Sequence, residues 1–151
     1  MSSYSFYYNS LINKFINIIL EKGKKELSEN LIIDLFKKLK LQNFSKNKDP
    51  LLLLTLVIRK LLIYVELRSM RVGRIKRKYP ISVKSHRQLY LAFKLLLDGA
   101  NCRTEFKLSD RLYNEIINIA YNEKLSNSIN LRYNLYQEAF KNRIFVFRKR
   151  R

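Results

Sequence analysis

The chain has 151 residues and a mass of 18.2 kDa, the usual size of a single domain. Hydrophobic residues make up 47% of it, which is enough to build a core and excludes wholesale disorder. Lys and Arg total 31 against 12 Asp and Glu, a formal net charge of +19. Because like charges repel within a compact chain, this excess favours a polyanionic partner. Nucleic acid is the commonest such partner, and an anionic membrane surface is the second.

The positive charge is concentrated in two segments. No Asp or Glu lies between Leu67 and Leu97, and this stretch carries nine Lys and Arg residues. Six more follow Glu138, the last acid of the chain. The remainder has sixteen basic residues against all twelve acids, so it is only mildly basic. The excess charge therefore belongs to these two segments.

Few glycines and prolines interrupt the chain, which favours long helices. Apolar residues at spacings of three and four predict a first helix over 11–19 and a second over 24–41. The buried face of the second is expected to carry Leu27, Leu31, Leu35 and Leu39. A third helix is predicted to begin at Asp49-Pro50, an N-cap acceptor followed by proline. It runs to about Ile63 and is apolar on nearly every side, so we expect it at the centre.

The pattern changes over residues 65–83, where β-branched residues flank Gly73. Two strands of about nine residues each would make a hairpin arm roughly 30 Å long. A body of this length has a radius of gyration of about 15 Å, so the arm is expected to project from it. Pro80 is compatible with this prediction because both strands of a ribbon have an open edge.

Six cations lie along this predicted arm: Arg68, Arg71, Arg74, Lys76, Arg77 and Lys78. Lysines on an exposed strand edge can simply discourage aggregation, but that accounts for two or three charges rather than for two strands without an acid. Arg outnumbers Lys here, which suits a bidentate grip on phosphates. The arm therefore predicts contact with nucleic acid.

Three further helices follow, over about 85–99, 109–119 and from Ser126 or Ser128 to about 140. The predicted fold class is mainly α, a six-helix bundle-like domain with a protruding two-stranded antiparallel β-ribbon between helices three and four. We expect one domain over 1–151, with an N-terminal tail (1–9), the β-hairpin arm (65–83) and a basic C-terminal tail (144–151).

Two smaller features carry a second interpretation. Gly23-Lys24-Lys25 lies where the second helix begins, and its backbone donors and two cations would suit a phosphate; taken alone, a solvated helical turn is the better explanation. The tail combines Phe145 and Phe147 with four terminal cations. It predicts either backbone neutralisation with base stacking or a helix that packs two aromatics before a basic end.

Catalytic groups are not arranged in any recognisable pattern. His86 is the only histidine and has no nucleophile or paired carboxylate beside it. Cys102 is the only cysteine, which excludes an intramolecular disulfide and a cysteine-cluster zinc site; we expect a small apolar residue near a helix end. The sequence therefore predicts a protein that is not an enzyme, with no cofactor and no metal.

Taken in order, these segments resemble the seventh family of bacterial-type small-subunit ribosomal proteins, from about residue 10 to 145. The resemblance rests on Ser10, Ile12 and Ile16, then Gly23-Lys24-Lys25 and Leu31-Ile32, then Arg71-Val72-Gly73 and the return strand Tyr79-Pro80-Ile81-Ser82-Val83, and finally the helix over 85–100, Arg132 and Ala139-Phe140. Three positions depart from the family pattern. Leu35 replaces a small side chain, Met70 an arginine and Arg74 a second glycine.

The resemblance implies a primary binder of the 3′ major domain of small-subunit rRNA that organises the head of the subunit. It places the hairpin near exit-site tRNA and the mRNA exit channel, and the body beside head and platform ribosomal proteins, without a membrane partner. The resulting set of rRNA-binding residues is Lys24, Lys25, Arg68, Arg71, Arg74, Lys76, Arg77, Lys78, Lys84, Arg87, Arg132, Arg148, Lys149, Arg150 and Arg151.

Heavy use of Ile, Asn, Lys, Phe and Tyr suggests an AT-rich gene, and the N-terminus lacks the pattern of a transit peptide. Together with the resemblance, this predicts a mitochondrial ribosome rather than a plastid one.

Two alternative functions compete with the ribosomal one. A helical DNA-binding protein with a basic β-ribbon wing would need a recognition helix, and the fourth helix does begin with polar Ser85-His86-Arg87-Gln88. A membrane-surface protein would need a strongly amphipathic basic helix, and none stands out.

Overall fold

A computed structural model of the chain describes residues 10–42, 49–72 and 74–150, with backbone alone for residues 42, 72 and 147–150. The described residues form six α-helices: α1 (Ser10–Ile19), α2 (Lys25–Gln42), α3 (Pro50–Leu61), α4 (Ser85–Asn101), α5 (Leu108–Tyr121) and α6 (Asn127–Lys141). Strands β1 (Val65–Val72) and β2 (Ile75–Ser82) lie between α3 and α4, and 3-10 turns cover Glu123–Leu125 and Arg143–Arg150. The predicted fold class is confirmed. The predicted N-terminal tail lies outside the described residues.

The core lies where the first five helices meet. Phe15 of α1 stacks on Phe93 of α4, with ring centroids 4.8 Å apart and planes inclined by 18°. Around this pair are the fully buried side chains of the other helices: Ile32, Leu35, Leu39, Leu54, Leu61, Leu112 and Ile116. Burial of this many apolar side chains is the dominant favourable contribution to the fold.

Two helices bury a narrower face than the sequence predicts. Leu27 of α2 is 63% exposed, although it belongs to the predicted row of leucines. A four-residue spacing advances about 40° around a helix at each step, so a row of four leucines cannot all face the core. In α3, Leu52 and Leu56 are 54% and 40% exposed, so this helix is buried on one face only.

Helix α4 does not end at about residue 99, as the sequence predicts, but continues to Asn101. Gly99 stands instead at the point where α4 closely approaches α6. A Cβ atom on Gly99 would lie 2.1 Å from Ser128 Oγ and 2.7 Å from the Ser128 backbone nitrogen. Glycine is therefore used here for the contact between two helices, not for helix termination.

A buried carboxylate fixes the start of α6. Glu115 of α5 is fully buried, and its Oε1 accepts hydrogen bonds from Ser126 Oγ at 2.7 Å and from Ser128 Oγ and N at 2.7 and 2.8 Å. Its Oε2 accepts from Arg103 Nε at 2.8 Å. Burial alone would raise the pKa of Glu115, but these donors lower it below its usual value. One side chain thus joins α5, the loop after α4 and the first turn of α6.

We expect Gly99→Ala to destabilise the protein by about 1–3 kcal/mol, the usual cost of overpacking a close contact. The backbone of Ser128 blocks the new methyl group, so the helices must separate. Urea unfolding followed by circular dichroism measures the change. Asn101→Ala, at an exposed position of the same helix, is the control, and equal stabilities of the two variants would contradict the close contact.

We expect Glu115→Gln to lower the free energy of unfolding at neutral pH by about 1–3 kcal/mol, because it removes a charged acceptor from buried donors. The pKa of Glu115 is lowered in the folded state, so its stabilisation is present above the unfolded pKa. It is lost as the pH falls through the folded pKa. The difference between wild type and variant, measured by urea unfolding, should shrink in acid; a constant difference would contradict the role of the charge.

Candidate nucleic-acid interface

The ribbon pairs regularly from its root to its tip. Val65 lies opposite Ser82 at the root and Val72 opposite Ile75 at the tip. Pro80 of β2 lies opposite Leu67 of β1. In a two-stranded sheet, one edge of each strand is free of ladder hydrogen bonds, so a proline is tolerated. The predicted hairpin is therefore present, with its cations at defined positions of the register.

The outer part of the ribbon brings like charges together. Arg71 lies directly opposite Lys76, and Arg74 occupies the turn between them. All three side chains are exposed and form no ion pair with the residues that the structure describes. Like charges directly opposite each other destabilise a strand pair. An anion bound beside them would relieve this repulsion.

The predicted contact residues fall into two groups. In the first group the side chains are exposed and form no hydrogen bond or ion pair with described residues; it comprises Lys24, Arg68, Arg71, Arg74, Lys76 and Lys84. The second group is already bound within the protein; it comprises Lys25, Arg77, Lys78, Arg87 and Arg132. The first group is available to phosphates as it stands.

Arg87 of α4 holds the root of the ribbon. Its Nε and Nη2 donate to the two carboxylate oxygens of Glu66 in β1 at 2.8 and 2.6 Å. The Arg87 hydrogen bond lowers the pKa of Glu66 against the opposing effect of burial, and Arg68 adds to the lowering. This bidentate geometry fixes both partners, so Arg87 links α4 to the ribbon.

Helix α6 holds the same ribbon from another side. The Tyr136 hydroxyl accepts a hydrogen bond from the backbone nitrogen of Tyr64, next to the root, at 3.1 Å. Further along, Lys78 of β2 pairs with Glu138 at 2.7 Å. Beyond α6, the Phe145 ring lies 4.8 Å from the Arg77 guanidinium carbon, a cation–π contact.

Arg132 caps a helix. Its Nη1 donates to the carbonyl of Lys60 in the last turn of α3, and its guanidinium also lies 5.7 Å from the Tyr136 ring centroid. Lys60 in turn donates to the carbonyls of Ile119 and Ala120 at 3.1 and 3.3 Å, at the end of α5. The last carbonyls of a helix lack intrahelical partners. Arg132 supplies a donor to the end of α3, and Lys60 supplies donors to the end of α5.

The Gly-Lys-Lys segment lies in a tight turn between α1 and α2. Lys22 and Gly23 both have positive φ angles, 52° and 76°, and Lys24 is exposed immediately before α2. Two acids oppose an anion here: Glu26 lies in the first turn, and Glu29 pairs with Lys25 at 3.6 Å. Of the two lysines in the predicted motif, Lys25 is paired and Lys24 is not. Lys22, in the same turn, is also exposed and forms no ion pair with the described residues.

The C-terminal segment is a 3-10 helix over Arg143–Arg150. Phe145 packs against the ribbon through Arg77, which agrees with the interpretation of the tail as a packed aromatic segment. The side chains of Phe147, Arg148, Lys149 and Arg150, and all of Arg151, lie outside the described part of the chain. Their predicted rRNA contacts stay predictions.

Two acids that hold the ribbon were missing from the predicted set, Glu66 and Glu138. A signal for both was present in the sequence. Glu66 is the last acid before the acid-free stretch, and Glu138 is the last acid of the chain. An acid at the border of a basic segment is the natural partner for a cation that must be fixed.

Comparison with known proteins identifies the group to which this arrangement belongs. A sequence profile of the family described as ribosomal protein S7p/S5e matches residues 1–143. The chain belongs to the ribosomal protein S7p/S5e family. The match extends over the helical body and the ribbon, which confirms the resemblance noted in the sequence.

Individual relatives agree with this family. The small ribosomal subunit protein uS7 of Thermodesulfovibrio yellowstonii is 34% identical over 140 residues, 93% of this chain and 86% of the relative. The corresponding protein of Pelagibacter ubique is 32% identical, over 91% of this chain and 85% of the relative. The small ribosomal subunit protein uS7m of Reclinomonas americana is 27% identical, over 91% and 84%. Each name denotes a ribosomal protein rather than an enzyme.

The described residues contain no cluster of three or more His, Cys, Asp or Glu side chains suited to a metal ion. No helix within the described ranges combines the length and the apolar character needed to cross a bilayer. Cys102 follows α4 and is exposed with a free thiol.

We expect Arg132→Ala to lower the free energy of unfolding by about 1–2 kcal/mol, because the Lys60 carbonyl loses its charged donor. Lys76→Ala, which removes an unpaired cation from the ribbon, is expected to leave the free energy of unfolding within about 0.5 kcal/mol of the wild-type value. Thermal and urea unfolding of the two variants measure the difference. Equal stability of the two would contradict the capping role of Arg132.

Proposed function

We propose that this protein is a structural component of the small ribosomal subunit that binds small-subunit rRNA and organises the head of the subunit around its 3′ major domain. The observation that carries the proposal is the cluster of unpaired, exposed cations on the outer ribbon, with Arg71 directly opposite Lys76. Membership of the ribosomal protein S7p/S5e family supports rRNA among the possible polyanions.

The physical role is positioning rather than chemistry. Phosphates repel one another, and cations held at fixed spacing on a rigid body allow RNA helices to meet at one junction. The helical body supplies the rigidity, through the core beneath the ribbon root. The exposed group supplies the charge, and the arginines in it suit a forked contact with phosphate oxygens.

The proposal extends to location and neighbours. The ribbon lies near exit-site tRNA and the mRNA exit channel, and the body contacts head and platform ribosomal proteins. The relative named uS7m supports a mitochondrial ribosome, and so does the amino-acid usage typical of an AT-rich gene. The bacterial relatives fit a bacterial ribosome equally well. Fractionation of the host cell, with detection of this protein in purified ribosomes, decides between these locations.

We expect Arg71→Glu combined with Arg74→Glu to weaken binding to an rRNA 3′-domain fragment by about ten- to a hundredfold at moderate salt, since two phosphate contacts are replaced by repulsion. The slope of log affinity against log salt should become shallower by roughly 0.7 to 0.9 for each lost contact. Circular dichroism should be unchanged because both side chains are exposed and unpaired. Binding is measured by filter retention at several salt concentrations with excess tRNA as competitor.

The matched control is Lys37→Glu combined with Lys40→Glu, the same charge change on exposed positions of α2. It should alter binding much less than the ribbon variant. An equal loss in both variants would show that only total charge matters. If tRNA or duplex DNA competes as well as the rRNA fragment, the protein is a general polyanion binder, and DNA binding by a basic ribbon becomes the better proposal.

A further inference from the structure

The ribbon is held near the middle of its strands by residues of α6 and of the segment that follows α6. Arg77 and Lys78 are consecutive in β2, so their side chains point to opposite faces of the sheet. Arg77 contacts Phe145, and Lys78 pairs with Glu138. The end of α6 and the segment after it therefore contact side chains from both faces of β2. A contact of this kind resists rotation of the ribbon about its long axis as well as bending.

The position of this brace matters for the tip. Arg77 lies opposite Met70 and Lys78 opposite Ser69, at the middle of the strands. At about 3.3 Å per residue, Arg74 lies roughly 26 Å from the root at Ser82 but only about 10 Å from Arg77. A ribbon held at its root alone would swing its tip through a much larger arc. The brace therefore limits where the tip cations can lie.

We propose that Glu138 and Phe145 are positioning residues for RNA binding, which act by fixing the direction of the ribbon. The inference rests on the proposed function, because it explains how the tip cations of this chain meet phosphates at fixed places. Each residue has one partner on the ribbon, Lys78 and Arg77 respectively. Holding the tip in its bound direction before association reduces the entropy lost on binding.

Charge alone predicts the opposite effect of one substitution. Glu138→Gln removes a negative charge and releases Lys78, so a simple electrostatic view expects tighter RNA binding and a steeper salt dependence. If Glu138 positions the ribbon, the same substitution weakens binding. Asp34→Asn is the matched control: it removes a carboxylate that pairs with Lys37 on α2 at 3.5 Å, and it should only strengthen binding slightly.

Phe145 is tested without any change of charge. We expect Phe145→Ala to weaken binding to the rRNA 3′-domain fragment about three- to tenfold, with Phe145→Tyr close to wild type because a ring is retained. The effect of Phe145→Ala should disappear when Arg77 is also replaced by alanine, since Phe145 acts through that side chain. Independent effects of the two substitutions would mean that Phe145 stacks on RNA directly, and would overturn the proposal.

A measurement without RNA completes the test. In a Cys102→Ser background, spin labels at Arg74→Cys on the ribbon tip and Lys40→Cys on α2 report the distribution of tip positions. Glu138→Gln and Phe145→Ala should broaden this distribution, while circular dichroism stays as in wild type and the free energy of unfolding changes little. An unchanged distribution, or tighter RNA binding by Glu138→Gln, overturns the positioning role. Failure of the wild-type protein to bind the fragment would instead overturn the proposed function.

Discussion

The contact between α6 and the ribbon is the interaction on which the rest of the arrangement depends. A two-stranded ribbon is marginally stable in water because it has little to bury, so its shape must come from its neighbours. Helix α6 provides an acceptor at the root through Tyr136 and a carboxylate at the middle through Glu138. The position of α6 is itself fixed by the Glu115 carboxylate and by the close approach at Gly99.

Contacts in the core thus determine, through α6, how the ribbon is oriented at the surface. A buried carboxylate fixes the first turn of α6, the helix carries that order along its length, and its last turns meet the ribbon. Only about 1 kcal/mol is expected from an exposed ion pair such as that between Lys78 and Glu138. Such a pair contributes mainly to orientation here, because it restrains the middle of a long ribbon that Arg87 and Tyr136 hold near its root.

The positive charge of this protein has two physical roles. Arg87, Arg132 and Lys60 are bound within the protein and hold helices and strands together. The exposed cations, with Arg71 opposite Lys76 at the tip, repel one another in the free protein. Some cations thus give up their freedom within the protein, while others are presented together on its surface.

The sequence by itself determined the helices, the ribbon and the place of the excess charge. These depend on local regularities: apolar spacing in α1, the proline start of α3, and alternating residues around Gly73. The predicted end of α4 was two residues short, because Gly99 is needed for the close contact with Ser128 of α6 and does not end the helix. Which cations are available and which are bound was decided by the tertiary structure alone. Pairs such as Arg87 with Glu66 and Arg132 with the Lys60 carbonyl join elements 21 and 72 residues apart. No local pattern records a contact over that separation, because it exists only once the helices have packed.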